Sequence, residues 1–416
     1  MSSPASLQRA LEQLCQPVRR HNYPRSLAAM RAMAVASGLA RRDVLAIVVT
    51  GSSGKSSLSH RLAGLMRASG LDCGCYLSPH LHSFRERFQL NGKRIDLATF
   101  CEGAALVARA TEKLPDTVST FERSTALALW WFQQRGASLV VLETGIGGRF
   151  DAVNVVDNGL ALFTCIEEEH AEWLGGDLAS VAWHKAGILR RGGHAISAPQ
   201  TPEVRAILQS EAKRVGARLK FTDQDLADAA QANLVERCLL PQTQDPPKVP
   251  VPALPGRLEL VSPPCGPRLL IDGGHTAEAA RHLRAFIERE SGRGGRLRLI
   301  TGFLADKNAC AWLRVFDDPR FHITLTRAPG HRSADPQRVH AACRLDEARM
   351  DVQPEFGNAL RLARQSDAQL VVVSGSLRLA AQAHESLGLL SDEELAEARL
   401  TAQVFGGDAY LSRLPD

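Results

Sequence analysis

Residues 44–57 read Val-Leu-Ala-Ile-Val-Val-Thr-Gly-Ser-Ser-Gly-Lys-Ser-Ser, and this stretch decides the fold. The apolar run Val44–Thr50 predicts a buried strand, and Ser57–Ser69 predicts a helix. Between them lies a glycine-rich loop, Gly51–Ser57, which contains a lysine. A strand, a glycine-rich loop, a lysine and a helix in this order are typical of a phosphate-binding loop, where backbone N–H groups and the amino end of the helix face phosphate oxygens.

The loop departs from the strict Gly-x-x-x-x-Gly-Lys-Ser/Thr pattern, because Val49 stands where the first glycine would be. The shorter Gly-x-x-Gly-Lys-Ser form remains. We expect Lys55 to contact the β- and γ-phosphates and a serine hydroxyl to bind Mg²⁺. An ordinary glycine–serine turn that contains a lysine is the alternative interpretation. The candidate phosphate-binding residues are Gly51, Ser52, Ser53, Gly54, Lys55, Ser56 and Ser57.

Acidic residues follow two other predicted strands. Glu143 ends the apolar strand 138–143 and precedes a glycine-rich bend, so it is a candidate for the metal-binding carboxylate that a phosphate loop needs. A surface acid that caps the strand would give the same pattern. His170 lies in an acidic cluster after the strand 159–166, where either a structural role or binding of metal or phosphate fits. Lys185, on pattern alone, is typical of an exposed helix residue.

Strands and helices alternate through both halves of the chain, which predicts an α/β fold with a mostly parallel sheet covered by helices. Six prolines between residues 241 and 255 predict an interdomain linker. We therefore expect an ATPase-like domain at 1–240, a proline-rich linker at 241–256 and a C-terminal domain at 257–416. The C-terminal strand candidates are 268–271, 297–301, 322–326 and 369–374. A helix that starts with a capping box, Ser391 with Glu394, is predicted at the end of the chain.

The composition excludes several classes of protein. With 44% hydrophobic and 23% charged residues among 416, the chain is neither disordered nor collagenous. It has no apolar run long enough for a membrane helix and no signal peptide, so we expect a cytoplasmic protein without a membrane partner. Nine scattered cysteines predict free buried thiols in a reducing compartment.

The distribution of charge along the sequence indicates which kinds of molecule the protein binds. The net charge of +5 is spread along the chain and aromatic residues make up only 5%, so neither a basic stripe nor a stacking platform for nucleic acid is visible. We expect anionic small molecules as substrates, with no nucleic acid. No heptad pattern or long exposed edge indicates an oligomer, so a monomer is expected.

Taken together, the motifs resemble the folylpolyglutamate synthase/dihydrofolate synthase family of the Mur ligase superfamily. Their order and rough spacing match the family from about residue 25 to residue 385. The matching segments are 51–57, 77–81, 84–87, 91–92, 120–122, 142–154, 170–175, 185–188, 254–257, 272–275, 304–307 and 374–377.

The resemblance implies an α/β fold with a P-loop, Mur-ligase-type ATPase domain, whose sheet is rich in parallel strands, and a smaller Rossmann-like C-terminal α/β domain. It implies ATP-driven amide bond formation with ATP and two Mg²⁺ sites. ATP phosphorylates a carboxylate, the amine of an amino acid (glutamate in the family) attacks the acyl phosphate, and phosphate leaves. The partners implied are a small carboxylate and an amino acid.

The resemblance also implies residue roles. Ser57 and Glu143 would hold one Mg²⁺, and Ser78, Glu143 and His170 a second. Lys55, His170 and Lys185 would be catalytic, with Lys185 carbamylated by CO₂ so that a negative charge faces the metal. The nucleotide would contact Arg257, Asp272 and His275, with Asn233 a weak candidate for adenine. The acyl substrate would contact Pro79, His80, Phe121, Glu122, Arg123, Arg149 and Asp151.

Departures from the family pattern leave alternatives open. Ser56 stands where the family loop usually has glycine, and Arg123 stands where an aromatic residue is usual, near the expected pterin side. This pattern fits a divergent folate enzyme and equally an amide ligase for a non-folate acid in specialised metabolism. A nucleotide-binding switch without ligation is a third hypothesis. The joint presence of Glu143, His170 and Lys185 counts against it.

Overall fold

The computed structural model describes residues 4–15, 26–37, 44–112, 114, 118–237, 239–240, 253–292, 294–343 and 345–405. The chain forms two compact units: unit 1 comprises Met1–Pro252 with Arg399–Asp416, and unit 2 comprises Ala253–Ala398. Residues 241–252, most of the predicted proline-rich linker, lie outside the described residues. The predicted C-terminal domain ran to residue 416, whereas the structure groups the described residues from Arg399 onward with unit 1.

Unit 1 contains the first nine helices and eight strands of the described chain. In chain order they are α1 (Pro4–Leu14), α2 (Ala28–Ala36), β1 (Leu45–Thr50), α3 (Lys55–Ala68), β2 (Cys73–Tyr76), β3 (Phe88–Leu90), β4 (Lys93–Arg94), α4 (Leu97–Thr111), α5 (Thr120–Gln134), β5 (Leu139–Glu143), β6 (Asn158–Phe163), α6 (Ala171–Leu174), α7 (Leu178–Ala186), β7 (His194–Ser197), α8 (Pro202–Val215), β8 (Arg218–Phe221) and α9 (Leu226–Glu236).

The strands of unit 1 form one sheet in the order β4-β3-β2-β5-β1-β6-β7-β8. The neighbouring pairs from β2 through β5, β1, β6 and β7 to β8 are all parallel. At the other edge, β3 is antiparallel to β2 and β4 is antiparallel to β3. Strand β1 lies at the centre, and all of its residues after Leu45 are buried. Burial on both faces is the reason that this strand is a continuous apolar run rather than an alternating one. The predicted parallel α/β architecture is confirmed.

Unit 2 has a smaller six-stranded sheet, in the order β13-β12-β11-β14-β10-β9. Strand β9 is antiparallel to β10, and the remaining pairs are parallel. The elements are β9 (Glu259–Val261), β10 (Arg268–Ile271), α10 (Ala277–Ser291), β11 (Leu297–Thr301), α11 (Ala309–Leu313), β12 (Phe321–Leu325), α12 (Pro336–Cys343), β13 (Met350–Val352), α13 (Phe356–Arg364), β14 (Leu370–Ser374) and α14 (Leu377–Ser386). A last helix, α15 (Asp392–Val404), begins in unit 2, and its residues from Arg399 onward group with unit 1.

Helix α15 begins at the predicted capping box. The Ser391 hydroxyl accepts a hydrogen bond from the backbone N–H of Glu394, and the Glu394 carboxylate accepts one from the backbone N–H of Ser391. After the helix, the ring of Phe405 stacks on Phe84 with centroids 5.3 Å apart, within the core of unit 1. This aromatic contact is one reason that the end of the described chain groups with unit 1.

The expectation that the cysteines are free thiols is wrong for one pair. Cys310 in α11 and Cys343 in α12 form a disulfide, with their Cα atoms 5.0 Å apart. The two residues are separated by 33 positions, so only the packing of the two helices brings them together. Cys73 and Cys75 are buried free thiols, as expected. Burial raises the pKa of the Cys73 thiol to about 12, so it stays protonated.

Candidate active site

The carboxyl ends of three neighbouring parallel strands meet at one edge of the unit 1 sheet. The glycine-rich loop follows β1, Glu143 is the last residue of β5, and Thr164 follows β6. Hydroxyl contacts tie the strand ends together: Thr50 Oγ1 donates to the carbonyl oxygen of Gly147 at 2.8 Å, and Thr144 Oγ1 lies 3.1 Å from Thr50 Oγ1. This edge is where α/β proteins bind ligands.

The first residue of the loop has to be glycine. Gly51 has a φ of +142°, and a Cβ atom there would lie 1.8 Å from Thr164 Oγ1. Gly54 also has a left-handed conformation, with φ at +82°, and, its chain neighbours aside, no atom of the described residues lies within 4 Å of the position that its Cβ would take. Helix α3 starts at the next residue, Lys55. The loop therefore leaves open space in front of the amino end of the helix, which is a favourable place for a phosphate group.

The loop is joined to the segment that follows β6. Ser52 donates its backbone N–H to the carbonyl oxygen of Cys165 at 2.8 Å, and its hydroxyl accepts from the backbone N–H of Glu167 at 2.9 Å. Lys55 Nζ donates to the carbonyl oxygen of Ser52 at 2.9 Å and lies 3.9 Å from Glu169 Oε2. The side-chain nitrogen of Lys55 thus lies inside the loop, between the backbone of Ser52 and the carboxylate of Glu169.

Three residues converge where a metal ion is expected. The hydroxyl of Ser56 lies 2.9 Å from Glu143 Oε1 and 3.3 Å from the carbonyl oxygen of Ser78. The backbone N–H of Ser78 donates to Glu143 Oε2 at 2.9 Å. Ser57, the hydroxyl implied by the resemblance, is exposed on α3. The structure therefore brings together Glu143 and Ser78, as expected, but with Ser56 rather than Ser57.

The donor set in this cluster suits a hard cation, since it consists of a carboxylate, a hydroxyl and a carbonyl oxygen, and Mg²⁺ prefers oxygen ligands. Within the described residues, no three His, Cys, Asp or Glu side chains are arranged as a metal-binding group. Serine and backbone oxygens would thus have to contribute alongside Glu143.

His170 has a strained backbone. Its φ of +57° lies in the left-handed region, which residues other than glycine rarely adopt. It sits directly before α6, with Nε2 3.9 Å from Glu169 Oε1 and Nδ1 4.0 Å from Glu172 Oε1. Strain of this kind is often found at functional sites.

Lys185 lies inside the site rather than on the helix surface that pattern alone predicted. The side chain is buried, and Nζ donates to the carbonyl oxygen of Gly51 at 2.6 Å. Burial and the nearby positive charge of Lys55 lower the pKa of Lys185 to about 7, although Glu169 and Asp151 act in the opposite direction. A large fraction of the amine is therefore neutral at physiological pH.

The segment after β2 carries two of the predicted substrate residues, Pro79 and His80. The Glu86 carboxylate fixes this segment by accepting backbone N–H groups of Leu81, His82 and Ser83 at 2.6–3.0 Å. Arg87 Nε donates to His80 Nδ1 at 3.1 Å, and burial lowers the pKa of His80 well below its usual value. His80 is therefore a neutral imidazole with its proton on Nε2.

Helix α5 carries the next predicted substrate residues. The Phe121 ring lies against Tyr76, with centroids 5.8 Å apart. The Glu122 carboxylate accepts from the backbone N–H and the hydroxyl of Ser119, both at 2.8 Å, in a capping box. The Ser-x-x-Glu spacing could have identified this role from the sequence. Arg123 is 6% exposed, so its guanidinium is held inside the unit.

Arg149 and Asp151, two further predicted substrate residues, make contacts within unit 1. Arg149 pairs with Glu211 at 2.6 Å, and its guanidinium lies over the Trp183 ring at 3.9 Å. Asp151 is buried and accepts backbone N–H groups at 2.9–3.1 Å from the turn after β5 and from Val153. Burial raises the pKa of Asp151 to about 7, while those hydrogen bonds oppose the shift. Both side chains are thus held by hydrogen bonds to neighbouring groups.

The structure also speaks against Asn233 as an adenine contact. Asn233 Nδ2 lies 3.5 Å from Nδ1 of His194, the first residue of β7. Because β7 runs parallel to β6 and β1, this amino end lies at the opposite edge of the sheet from the phosphate loop.

Unit 2 contains the remaining predicted nucleotide residues. Asp272 follows β10 and accepts from the backbone N–H of Gly274 at 2.8 Å and of Leu258 at 3.1 Å. Burial raises its pKa, and the positive charge of Arg257 opposes that shift. The ring of His275 lies close to its own loop, with Nδ1 3.2 Å from the carbonyl oxygen of Gly273. These three predicted residues therefore cluster around one loop of unit 2.

A solved structure with bound nucleotide shares this fold. The bifunctional folylpolyglutamate synthase/dihydrofolate synthase of Yersinia pestis, complexed with AMPPNP and Mn ion, matches with a TM-score of 0.78 and 27% identity, over 93% of this chain and 98% of that chain. The fold and the site together place the protein among the ATP-dependent ligases that form carbon–nitrogen bonds with the help of a divalent metal.

Comparison with sequence relatives shows which family of these ligases the chain belongs to. No protein-family model matches the chain. The dihydrofolate synthase/folylpolyglutamate synthase of Escherichia coli is 30% identical over 316 residues, which cover 68% of this chain and 73% of the relative. The folylpolyglutamate synthase of Lacticaseibacillus casei is 28% identical over 389 residues, or 82% of this chain and 89% of the relative. The chain belongs to the folylpolyglutamate synthase/dihydrofolate synthase family.

No helix in the described ranges combines the length and the apolar character that crossing a membrane requires.

Proposed function

We propose that the protein joins glutamate to a folate-type acid, either dihydropteroate or a folate, with hydrolysis of ATP to ADP and phosphate. The observation that carries the proposal is the buried contact of Lys185 with the carbonyl oxygen of Gly51 in the phosphate loop. A nucleotide switch has no need for a second lysine of lowered pKa beside the loop. The names of the relatives supply the acid and the amino acid.

A carboxylate is a poor electrophile because its leaving group would be oxide. The γ-phosphoryl group of ATP is therefore first transferred to a carboxylate oxygen, which gives an acyl phosphate and ADP. The amino nitrogen of glutamate then attacks the acyl carbon and loses a proton, and phosphate leaves as the amide forms. Lys55, with the N–H groups of the loop, stabilises the charge that develops on the transferring phosphoryl group.

Glu143 with a serine hydroxyl would hold Mg²⁺, which neutralises phosphate charge during the transfer. A second site would use Ser78, Glu143 and His170. We propose that Lys185 is carbamylated, because its neutral amine can react with CO₂ and the carbamate would place a negative charge next to Lys55. In unit 2, we propose that Arg257, Asp272 and His275 serve the nucleotide. At the acyl substrate, Pro79, His80, Phe121 and Arg123 remain our candidates.

The relatives do not favour the alternative of a non-folate acid in specialised metabolism. We further propose a cytoplasmic monomer that acts on small molecules and not on nucleic acid. The spread of positive charge along the chain, without a basic stripe, supports the absence of a nucleic-acid partner. Analytical ultracentrifugation of the purified protein tests whether it is a monomer. A species with twice the monomer mass of 45.1 kDa would contradict the proposal.

The test of the activity is release of ADP and phosphate by the purified protein. Dihydropteroate, tetrahydrofolate and unrelated acids are each supplied with ATP and Mg²⁺, with and without glutamate. We expect ADP release that requires both a folate-type acid and glutamate, together with a product whose mass is increased by one glutamyl residue. Release that does not depend on the acid would contradict the proposal.

A further inference from the structure

We propose that Ser56 positions the Glu143 carboxylate and joins it in holding Mg²⁺, in the role that the family resemblance gives to Ser57. This inference rests on the proposed function, because it names the residue that serves the metal of the nucleotide. Ser56 would thus both orient the metal-binding carboxylate and contribute its own hydroxyl oxygen to the metal.

Orientation on helix α3 distinguishes the two serines. Successive helix residues are rotated by about 100°, so neighbouring hydroxyls cannot both face the sheet. Ser56 is 5% exposed and faces the end of β5, with its hydroxyl 2.9 Å from Glu143 Oε1. Ser57 is exposed on the outer side of the helix. Of these two serines, it is Ser56 that presents its hydroxyl to the carboxylate.

The hydrogen bonds around Ser56 leave an oxygen ready for a cation. A serine hydroxyl has one proton and two lone pairs. Besides Glu143, Ser56 Oγ has a second acceptor, the carbonyl oxygen of Ser78 at 3.3 Å. When the proton turns toward Ser78, a lone pair of Ser56 becomes available beside Glu143 Oε1. The hydroxyl can then change from a donor to a metal ligand without moving its helix.

The other carboxylate oxygen fixes the geometry. Glu143 Oε2 accepts the backbone N–H of Ser78 at 2.9 Å, so the plane of the carboxylate is held from the opposite side. Ser56 and Ser78 together orient Glu143, and adjacent oxygens of Ser56 and Glu143 are offered to a hard cation. In phosphate loops of the strict form, the hydroxyl directly after the lysine binds Mg²⁺, and Ser56 holds this position after Lys55. The loop usual in the family has glycine there, which offers no hydroxyl.

The experiment measures metal binding to the full-length protein rather than turnover. Mn²⁺ is titrated into the protein saturated with AMPPNP, and free Mn²⁺ is followed by its electron paramagnetic resonance signal. The wild type is compared with Ser56→Ala, Ser56→Thr and Ser57→Ala, and with Ser69→Ala at the other end of α3 as a matched control. Binding of fluorescent ADP in EDTA and thermal melting show that each variant keeps its loop and its fold.

We expect Ser56→Ala to raise the Mn²⁺ dissociation constant about tenfold or more, which is about the contribution of one ligand-orienting partner. Ser56→Thr keeps the hydroxyl, so it should stay within about threefold of the wild type, as should Ser57→Ala and Ser69→Ala. If Ser56→Ala does not fold, Ser56→Gly provides the same comparison. In crystals grown with Mn²⁺ and AMPPNP, Ser56 Oγ should lie within coordination distance of the metal, whereas Ser57 Oγ should not.

The inference would be overturned if Ser57→Ala weakened Mn²⁺ binding and Ser56→Ala did not, or if neither changed it. A wild-type protein that binds no Mn²⁺–AMPPNP would overturn the proposed function as well, so the two failures can be told apart.

Discussion

The side-chain nitrogen of Lys185 donates a hydrogen bond to the carbonyl oxygen of Gly51 at 2.6 Å, across 134 residues of sequence. This contact places a lysine from α7 against the first residue of the phosphate loop. Because the lysine is buried and lies near Lys55, its amine is less basic than usual, with a pKa of about 7. A site that holds two lysines so close together is suited to anionic groups.

Replacement of Lys55 tests the phosphate loop. We expect Lys55→Ala to lower turnover by at least about 100-fold, since a main cation on the transferring phosphoryl group is worth several kcal/mol, comparable to the loss of one oxyanion donor. Stability should change by about 1 kcal/mol or less, because Lys55 is the first residue of α3, where alanine is well tolerated, and one side-chain hydrogen bond is lost. ADP release and thermal melting measure the two effects, with the exposed Lys93→Ala as a matched control. A Lys55→Ala variant that kept more than about a tenth of wild-type turnover would refute the assignment.

Carbamylation of Lys185 predicts a dependence on CO₂. In CO₂-depleted buffer the activity should fall, and added bicarbonate should restore it, since the neutral amine at pH 7–8 can react with CO₂. Lys185→Ala should lose activity and regain part of it with a short carboxylate such as acetate. Lys213→Ala, an exposed lysine of α8, serves as the control. Activity that is indifferent to bicarbonate in a thoroughly depleted preparation would argue against the modification.

The low basicity of Lys185 also predicts how stability depends on pH. The unfolded state binds the lysine proton up to its ordinary pKa of 10.5, whereas the folded state releases it near 7. Between these values the unfolded state holds more protons, so the free energy of unfolding should rise with pH, by at most about 1.4 kcal/mol per unit. Urea denaturation in CO₂-depleted buffer at several pH values measures this slope.

Lys185→Met should lack this contribution to the slope and should be more stable than the wild type near neutral pH. Equal slopes in the two proteins would show that Lys185 keeps its ordinary basicity in the folded state.

The ion pair of Arg149 with Glu211 predicts a structural phenotype. Both side chains are largely buried, with 17% and 11% exposed, and Arg149 also covers the Trp183 ring. Arg149→Ala should lower the free energy of unfolding by about 1–3 kcal/mol, because it removes a charge-assisted hydrogen bond to Glu211 and the contact with the Trp183 ring, while Arg214 still pairs with Glu211. KM for the acyl substrate should stay within about twofold, because the guanidinium is occupied. A variant of unchanged stability with a KM raised about tenfold would instead support the predicted substrate contact.

Arg123 is the remaining charged candidate for the acyl substrate. A buried guanidinium can stack on a flat ring or pair with a carboxylate. We expect Arg123→Phe to lower kcat/KM for dihydropteroate or tetrahydrofolate about tenfold or more, with little change in KM for ATP. Arg123→Lys separates the charge from the planar shape, and circular dichroism verifies the fold. The same kcat/KM in the wild type and both variants would remove Arg123 from the substrate site.

The sequence by itself determined the order of elements and the phosphate loop. The strand before the loop, the loop glycines and the helix after it are local signals, and the predicted bounds of strands 268–271 and 297–301 coincide with the structure. Glu143 could be placed at the carboxyl edge because every parallel strand ends there. The capping box of Ser391 with Glu394 could also be predicted, because its two partners are only three residues apart in the sequence.

Only the tertiary structure decided which side chains reach the site. Ser56 meets Glu143 across 87 residues, Lys185 meets Gly51 across 134, and Arg149 meets Glu211 across 62. Cys310 and Cys343 likewise become partners only when α11 and α12 pack together. Periodicity and motif spacing describe neighbours along the chain, whereas a buried hydrogen bond depends on how helices rotate against a sheet. That rotation is set by the packing of the whole core, and it is why Ser56 faces the carboxylate while Ser57 faces outward.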